Sequence, residues 1–165
     1  MESKKVIIRD FKSADTNKVL TLLSNSFKEE YKTMKVDIKS YKPFYYLIGV
    51  FNIFLRFINK EFFKITVAEV NGEVRSLWVS YPLDKNIWFL GFSATELEYR
   101  GQGLYSLVLN EHLRYLRDVR KISVATCEIV EGNKIPLYSW INKRGAKITN
   151  QSSVFLLNAG NNNYS

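Results

Sequence analysis

The sequence predicts an α/β fold of the α+β kind, with helices packed on a mixed sheet. Three observations predict it. Asn71-Gly72 stands between two segments rich in β-branched and apolar residues and marks a tight antiparallel hairpin, because both central residues of a type I′ turn need positive φ. Along 165 residues, strand-like and helix-like segments follow in the order β-α-α-β-β-β-α-β-α-β, with no internal repeat or linker. A turn carrying two glycines, Glu98-Tyr99-Arg100-Gly101-Gln102-Gly103-Leu104-Tyr105, joins an apolar strand-like segment to an amphipathic helical one.

Each element has a local reason. Val6 to Arg9 is a short strand, and Asp15 is an N-cap for a helix carrying Val19, Leu20, Leu22, Leu23 and Phe27. Tyr41 to Phe63 is too long and too apolar for a loop and reads as one or two helices, with Gly49 as a weak point. Its apolar residues nearly encircle the helix, so it should be well covered. Phe63 to Val70 and Glu73 to Tyr81 flank the Asn71-Gly72 turn, and Ile87 to Thr95 adds a third strand that leads into the glycine turn. Leu104, Leu107, Val108, Leu109, Leu113 and Leu116 give the next helix, from about Gln102 to Arg117, its apolar face. His112 on that helix is expected at the surface. Lys121 to Val130 is a buried strand rich in β-branched residues. Asn133 caps a helix reaching about Lys143, Pro136 is tolerated in its first turn, and Gly145 stands just past its end. Lys147 to Leu157 closes the chain as one strand. Residues 1–157 are expected to form a single domain, and the Asn-rich stretch Asn158 to Ser165 a disordered tail.

Composition narrows the function classes. Hydrophobic residues at 46% and charged residues at 24% place the chain among globular proteins. Twenty-four Lys and Arg against sixteen Asp and Glu give +8, which favours an anionic partner: a phosphorylated cofactor, nucleic acid or an acidic membrane. The single Cys127 excludes an internal disulfide framework, and with the only histidine, His112, it is too little for a typical zinc site, so no metal is expected. Cys127 reads as a small core residue, which argues against a Cys-His hydrolase. A reducing, cytoplasmic setting fits, and the polar start Met1 to Lys5 does not resemble a signal peptide. Pro43 to Leu55 carries no charge but falls short of the roughly 20 residues that span a bilayer.

The glycine turn carries the chemistry. Glycine permits positive φ and close backbone approach, and a helix that starts there presents unpaired N–H groups and a positive dipole end to a phosphate. A P-loop would need Gly-Lys-Ser/Thr, which is absent, and a dinucleotide fold a third glycine where Ser106 stands. The spacing Arg-x-x-Gly-x-(Gly/Ala) is met by Arg100 and Gly103, with Tyr105 in the last position.

From about Ile65 to Leu157 the chain resembles the GNAT superfamily of N-acetyltransferases, in which such a turn after the fourth strand receives the pyrophosphate of acetyl-coenzyme A. The later segment Asn133-x-x-x-Leu137-Tyr138-x-x-x-x-x-Arg144-Gly145 resembles the family's helix that carries a tyrosine beside the thioester. Two departures stand out: Tyr105 where the family has Gly or Ala, and Thr95-Glu96-Leu97 where it commonly has Val-x-Pro. The resemblance implies a mixed, mostly antiparallel sheet of about six to seven strands flanked by about four helices.

It also implies an acetyl-CoA or other acyl-CoA co-substrate and direct attack by an acceptor amine, on a small molecule or a peptide. Thr95, Leu97, Arg100, Gly101, Gln102, Gly103, Leu104, Tyr105 and Asn133 would then bind the cofactor, with backbone donors at Thr95 to Leu97 facing the carbonyl oxygen. Tyr138 would protonate the thiolate and Glu96 would act as general base, with Glu98 more solvated and Glu128 in reserve. Lys134 and Lys143 are further phosphate contacts or plain surface. The aromatic stretch has three readings: an acceptor or acyl pocket built by Tyr45, Tyr46, Phe51 and Phe54, a core or homodimer face, or a membrane-surface helix spanning 41–60 flanked by Lys39, Lys42, Arg56 and Lys60. Two other functions stay open, a GNAT-like acyl-CoA binder without catalysis and a basic nucleic-acid module. The scattered basic residues speak against specific nucleic-acid binding.

Overall fold

Among the described residues seven strands and four α-helices follow each other nearly as the sequence orders them. The computed structural model describes residues 5–28, 37–57, 62–129, 134–149 and 152–156. The elements are β1 (Val6–Asp10), α1 (Thr16–Ser26), α2 (Lys42–Phe57), β2 (Lys64–Val70), β3 (Glu73–Asp84), β4 (Ile87–Thr95), α3 (Leu104–Arg114), β5 (Val124–Glu128), α4 (Lys134–Arg144), β6 (Lys147–Thr149) and β7 (Ser152–Leu156). The sheet is mixed and mostly antiparallel. Contacts divide the chain into two compact units, 1–79 with 92–112 and 80–91 with 113–165.

In the first unit the strand order is β1-β2-β3-β4. β1 runs antiparallel to β2, Val6 opposite Val70 and Asp10 opposite Thr66. Asn71 and Gly72 both have positive φ, 51° and 87°, as the hairpin turn requires. Alternation along β2 sends Ile65 and Val67 into a cluster with Val19, Leu23 and Leu77, while α2 adds Ile48. α2 is one helix that passes through Gly49, preceded by a 3-10 turn at Ile38–Tyr41. Asp15 precedes α1 but does not cap it. Its carboxylate instead accepts the Lys12 N–H at 2.8 Å and pairs with Arg9 at 2.7 Å, closing the short turn before the helix.

The other set of β2 and β3 side chains is unexpectedly polar. Lys64, Thr66 and Ser76 are buried there, and so is His112 of α3. The surface position expected for His112 is therefore wrong. Within α3 the buried residues are Leu104, Val108, Leu109 and His112, whereas Leu107 is half exposed, so the helix is rotated relative to a face drawn through its leucines alone. A hydrogen bond between Thr66 Oγ1 and His112 Nδ1, 2.8 Å, engages one ring nitrogen of the imidazole, and Lys64 is ion-paired with Asp10.

In the second unit the order is β4-β5-β7-β6. β4 runs parallel to β5, Ile87 opposite Val124, and β5 runs antiparallel to β7. The single closing strand expected from Lys147 to Leu157 is two antiparallel strands, with Thr149 opposite Ser152. The polar run Thr149-Asn150-Gln151-Ser152 has no apolar alternation to sustain one strand. α4 ends as expected: Gly145 takes φ 64°, its N–H donates to Ile141 O and that of Ala146 to Trp140 O, both at 3.1 Å. Cys127 is buried, and burial with the nearby Glu128 charge pushes its thiol up to about 12, so it is no nucleophile. The Asn158 to Ser165 tail lies outside the described residues. No helix among the described residues is long and apolar enough to cross a membrane.

Candidate functional site

β4 delivers the chain to the turn, and short-range hydrogen bonds then shape it. After Thr95 a 3-10 turn spans Leu97–Tyr99, held by Tyr99 N–H to Glu96 O at 2.9 Å and Arg100 N–H to Leu97 O at 3.2 Å. Arg100 Nε donates back to Thr95 O at 3.0 Å, and Gln102 Nε2 to Glu98 O at 2.7 Å. Both side chains therefore brace the loop. Gly101 and Gly103 have φ 73° and 81°, and a β-carbon at either would meet no atom within 4 Å. Backbone conformation, not crowding, requires glycine here.

The first α-helical hydrogen bond of α3 runs from Leu107 N–H to Gly103 O at 3.1 Å, which makes Gly103 the helix cap. Among the described residues no acceptor takes the N–H groups of Gly101, Gly103 or Leu104. Gly101 and Gly103 are exposed there, beside the positive end of α3, where an anion is stabilised. The Tyr105 ring is half buried and packs on Trp78, centroids 5.5 Å apart, which takes it out of the turn. The bulk of Tyr105 is taken up by this packing.

Glu96 is not placed as a free base. Its N–H donates to Arg75 O at 2.9 Å, its Oε1 accepts from Lys18 Nζ at 2.8 Å and its Oε2 from Arg75 Nη1. Partial burial would raise its pKa, but the hydrogen bonds from Lys18 and Arg75 outweigh that and hold the carboxyl below its ordinary value. Such a carboxylate is a poor proton acceptor. Engagement of the Glu96 amide also removes it from the donors expected along Thr95 to Leu97. Thr95 shares a 2.8 Å hydroxyl contact with Ser76, Arg75 lies 4.9 Å over the Tyr99 ring, and Glu98 is exposed.

The remaining expected residues fall in the first unit, in the second unit, or outside the described residues. Tyr45 is half buried against the core and Tyr46 is exposed, so these neighbours on α2 line no common pocket. The side chains of Phe51, Phe54 and Lys134 and all of Asn133 lie outside what the structure describes. In the second unit Tyr138 and Lys143 are exposed on α4 and Glu128 at the end of β5. The sequence reading missed a cleft of about 370 Å³ in the first unit, lined by Asn17, Leu20, Thr21, Ser24, Asn25 and Lys42. Its signal was present: Asn17, Thr21, Ser24 and Asn25 recur at helical spacing as a polar stripe on α1.

No protein-family model matches the chain, and no curated protein sequence matches it. Solved structures do. YncA from Salmonella typhimurium, determined with its cofactor acetyl-CoA, superposes with a TM-score of 0.72 at 13% identity, covering 94% of this chain and 95% of that one. PaiA N-acetyltransferase from Thermoplasma acidophilum, in complex with coenzyme A, gives 0.65 at 15% identity over 91% and 96% of the two chains. The ribosomal-protein-alanine N-acetyltransferase of Brucella melitensis gives 0.65 at 18% identity over 90% and 95%.

Proposed function

The chain has the GNAT acetyltransferase fold, and from that premise we propose that it moves an acetyl or longer acyl group from coenzyme A to an amine. One observation carries this reading: among the described residues no acceptor takes the amides of Gly101, Gly103 or Leu104 at the head of α3, in a turn where a β-carbon at either glycine meets no atom within 4 Å. The turn fits the diphosphate of an acyl-CoA, which when bound supplies an activated thioester. Solved relatives of this fold hold coenzyme A or acetyl-CoA.

The residues of the chain divide the remaining work. The amides of the turn bind, and Arg100 and Gln102 keep the loop in shape. Glu96 acts as a positioning residue: by holding Lys18 of α1 and Arg75 of β3 at once, it fixes the helix that lines the polar cleft to the strand end before the turn. That cleft, with its amides and hydroxyls, suits a polar acceptor amine. Tyr138, assigned by resemblance, donates the proton that the departing thiolate needs, while the attacking amine loses its proton to water, from which the phenol is reprotonated. The 1–157 segment is read as one acyltransferase domain.

Thiol release from acetyl-CoA across a panel of polyamines, amino-sugars and peptide amines tests the proposal. Release that depends on both acetyl-CoA and one amine class supports it. Tight coenzyme A binding with no release from any amine would leave the non-catalytic binder instead.

A further inference from the structure

We propose that the outer face of α2 docks on an anionic membrane surface. The helix is apolar on both sides. Tyr45 and Ile48 pack into the core, while Phe44, Tyr46, Leu47 and Val50 are 46%, 54%, 49% and 47% exposed. Tyr41, in the turn before the helix, is exposed as well. By contrast, the outer positions Asn17, Thr21 and Asn25 of α1 are polar, as a water-facing helix requires. An apolar face of this breadth needs a cover.

Charge selects the occupant. Lys42–Phe57 contains no acidic residue, Lys42 is exposed at its start, and the sequence sets Lys39 before it and Arg56 and Lys60 at its far end. Cations thus bracket an uncharged stretch in a chain of net charge +8. A second copy laid on this face would bring like charges together, whereas anionic headgroups neutralise them while the aromatic and aliphatic groups enter the acyl boundary. The sequence repeats the spacing of Tyr46, Leu47 and Val50 at Ile53, Phe54 and Phe57. At 16 residues the helix is short of the roughly 20 needed to cross, so it lies in the interface plane. This docking is independent of the transfer reaction proposed above.

Co-sedimentation of the purified full chain with vesicles of phosphatidylcholine alone, or mixed with phosphatidylglycerol, tests it. The protein should pellet with the mixed vesicles, less so at high salt, and remain in solution with phosphatidylcholine alone. Leu47→Glu combined with Val50→Glu should weaken vesicle affinity by about tenfold or more, with unchanged circular dichroism. Should that variant fail to fold, Tyr46→Trp decides by itself through a blue shift of its emission on mixed vesicles. A wild type that stays in solution with both vesicle types overturns the proposal. So does a folded double variant that binds undiminished, or one that only converts a dimer to a monomer in sedimentation velocity.

Discussion

Lys18 Nζ on α1 lies 2.8 Å from Glu96 Oε1, joining residues far apart in sequence just before the glycine turn. With Arg75 on the other carboxylate oxygen, Glu96 becomes a latch rather than a base. Glu96→Gln should therefore cost about 1 kcal/mol of stability, the scale of a partly exposed ion pair, and lower kcat/KM by less than about tenfold. Removal of a general base costs about 10²–10⁴. Denaturation and steady-state kinetics on the same preparation separate the two roles, and a loss of the larger size would restore the base assignment.

The same latch has a pH signature. The Glu96 carboxyl lies below its ordinary value of 4.5, so its stabilising contribution is present above that pH and is lost as pH falls through the depressed folded-state pKa. The wild type should lose more stability than Glu96→Gln on acidification below pH 4.5, read from urea midpoints of both proteins.

His112 acts over a different window. Burial, followed by the Lys64 charge, lowers its pKa to about 3, against the opposing effect of Asp10. The unfolded chain takes up the proton near 6.5 while the native imidazole stays neutral, so stability falls as pH drops from 6.5 towards 3. Each unit below the upper value costs about 1.4 kcal/mol. His112→Gln, which can keep a hydrogen bond to Thr66, should flatten the melting temperature between pH 6.5 and 4.5. Parallel curves for the two proteins would contradict a buried neutral histidine.

Gly101 offers a test of conformation without crowding. A β-carbon there meets no atom within 4 Å, but φ is 73°. Gly101→Ala should therefore cost about 1–2 kcal/mol, which calorimetry would register as about 2–4 °C of melting temperature per kcal/mol. A neutral or stabilising effect would mean the turn does not hold positive φ.

Local features were legible in the sequence and features made by distant partners were not. Asn71-Gly72, the turn at Gly101 and Gly103, and the α4 stop at Gly145 each announce their backbone conformation through a residue that tolerates positive φ. The burial of His112 depends on Thr66 and Lys64 arriving from β2, and the engagement of Glu96 on Lys18 and Arg75, so neither shows in the residues nearby. The break between β6 and β7 was visible as four polar residues but was overridden by the apolar ends of that segment. Tyr105 stood out as a departure from Gly or Ala, but where its ring goes depends on Trp78, a packing partner that sequence spacing does not reveal.

Isothermal titration of coenzyme A into the wild type, Gly103→Asn and Gly103→Asp tests the central claim most directly. Asn and Asp tolerate positive φ alike, so the pair differs mainly in a charge placed beside the bound diphosphate. The account predicts binding in the micromolar to millimolar range for the wild type, weaker by about tenfold or more in Gly103→Asp than in Gly103→Asn, with similar melting temperatures for both variants without ligand. Equal affinity in the two variants, or no binding by a folded wild type, would contradict it.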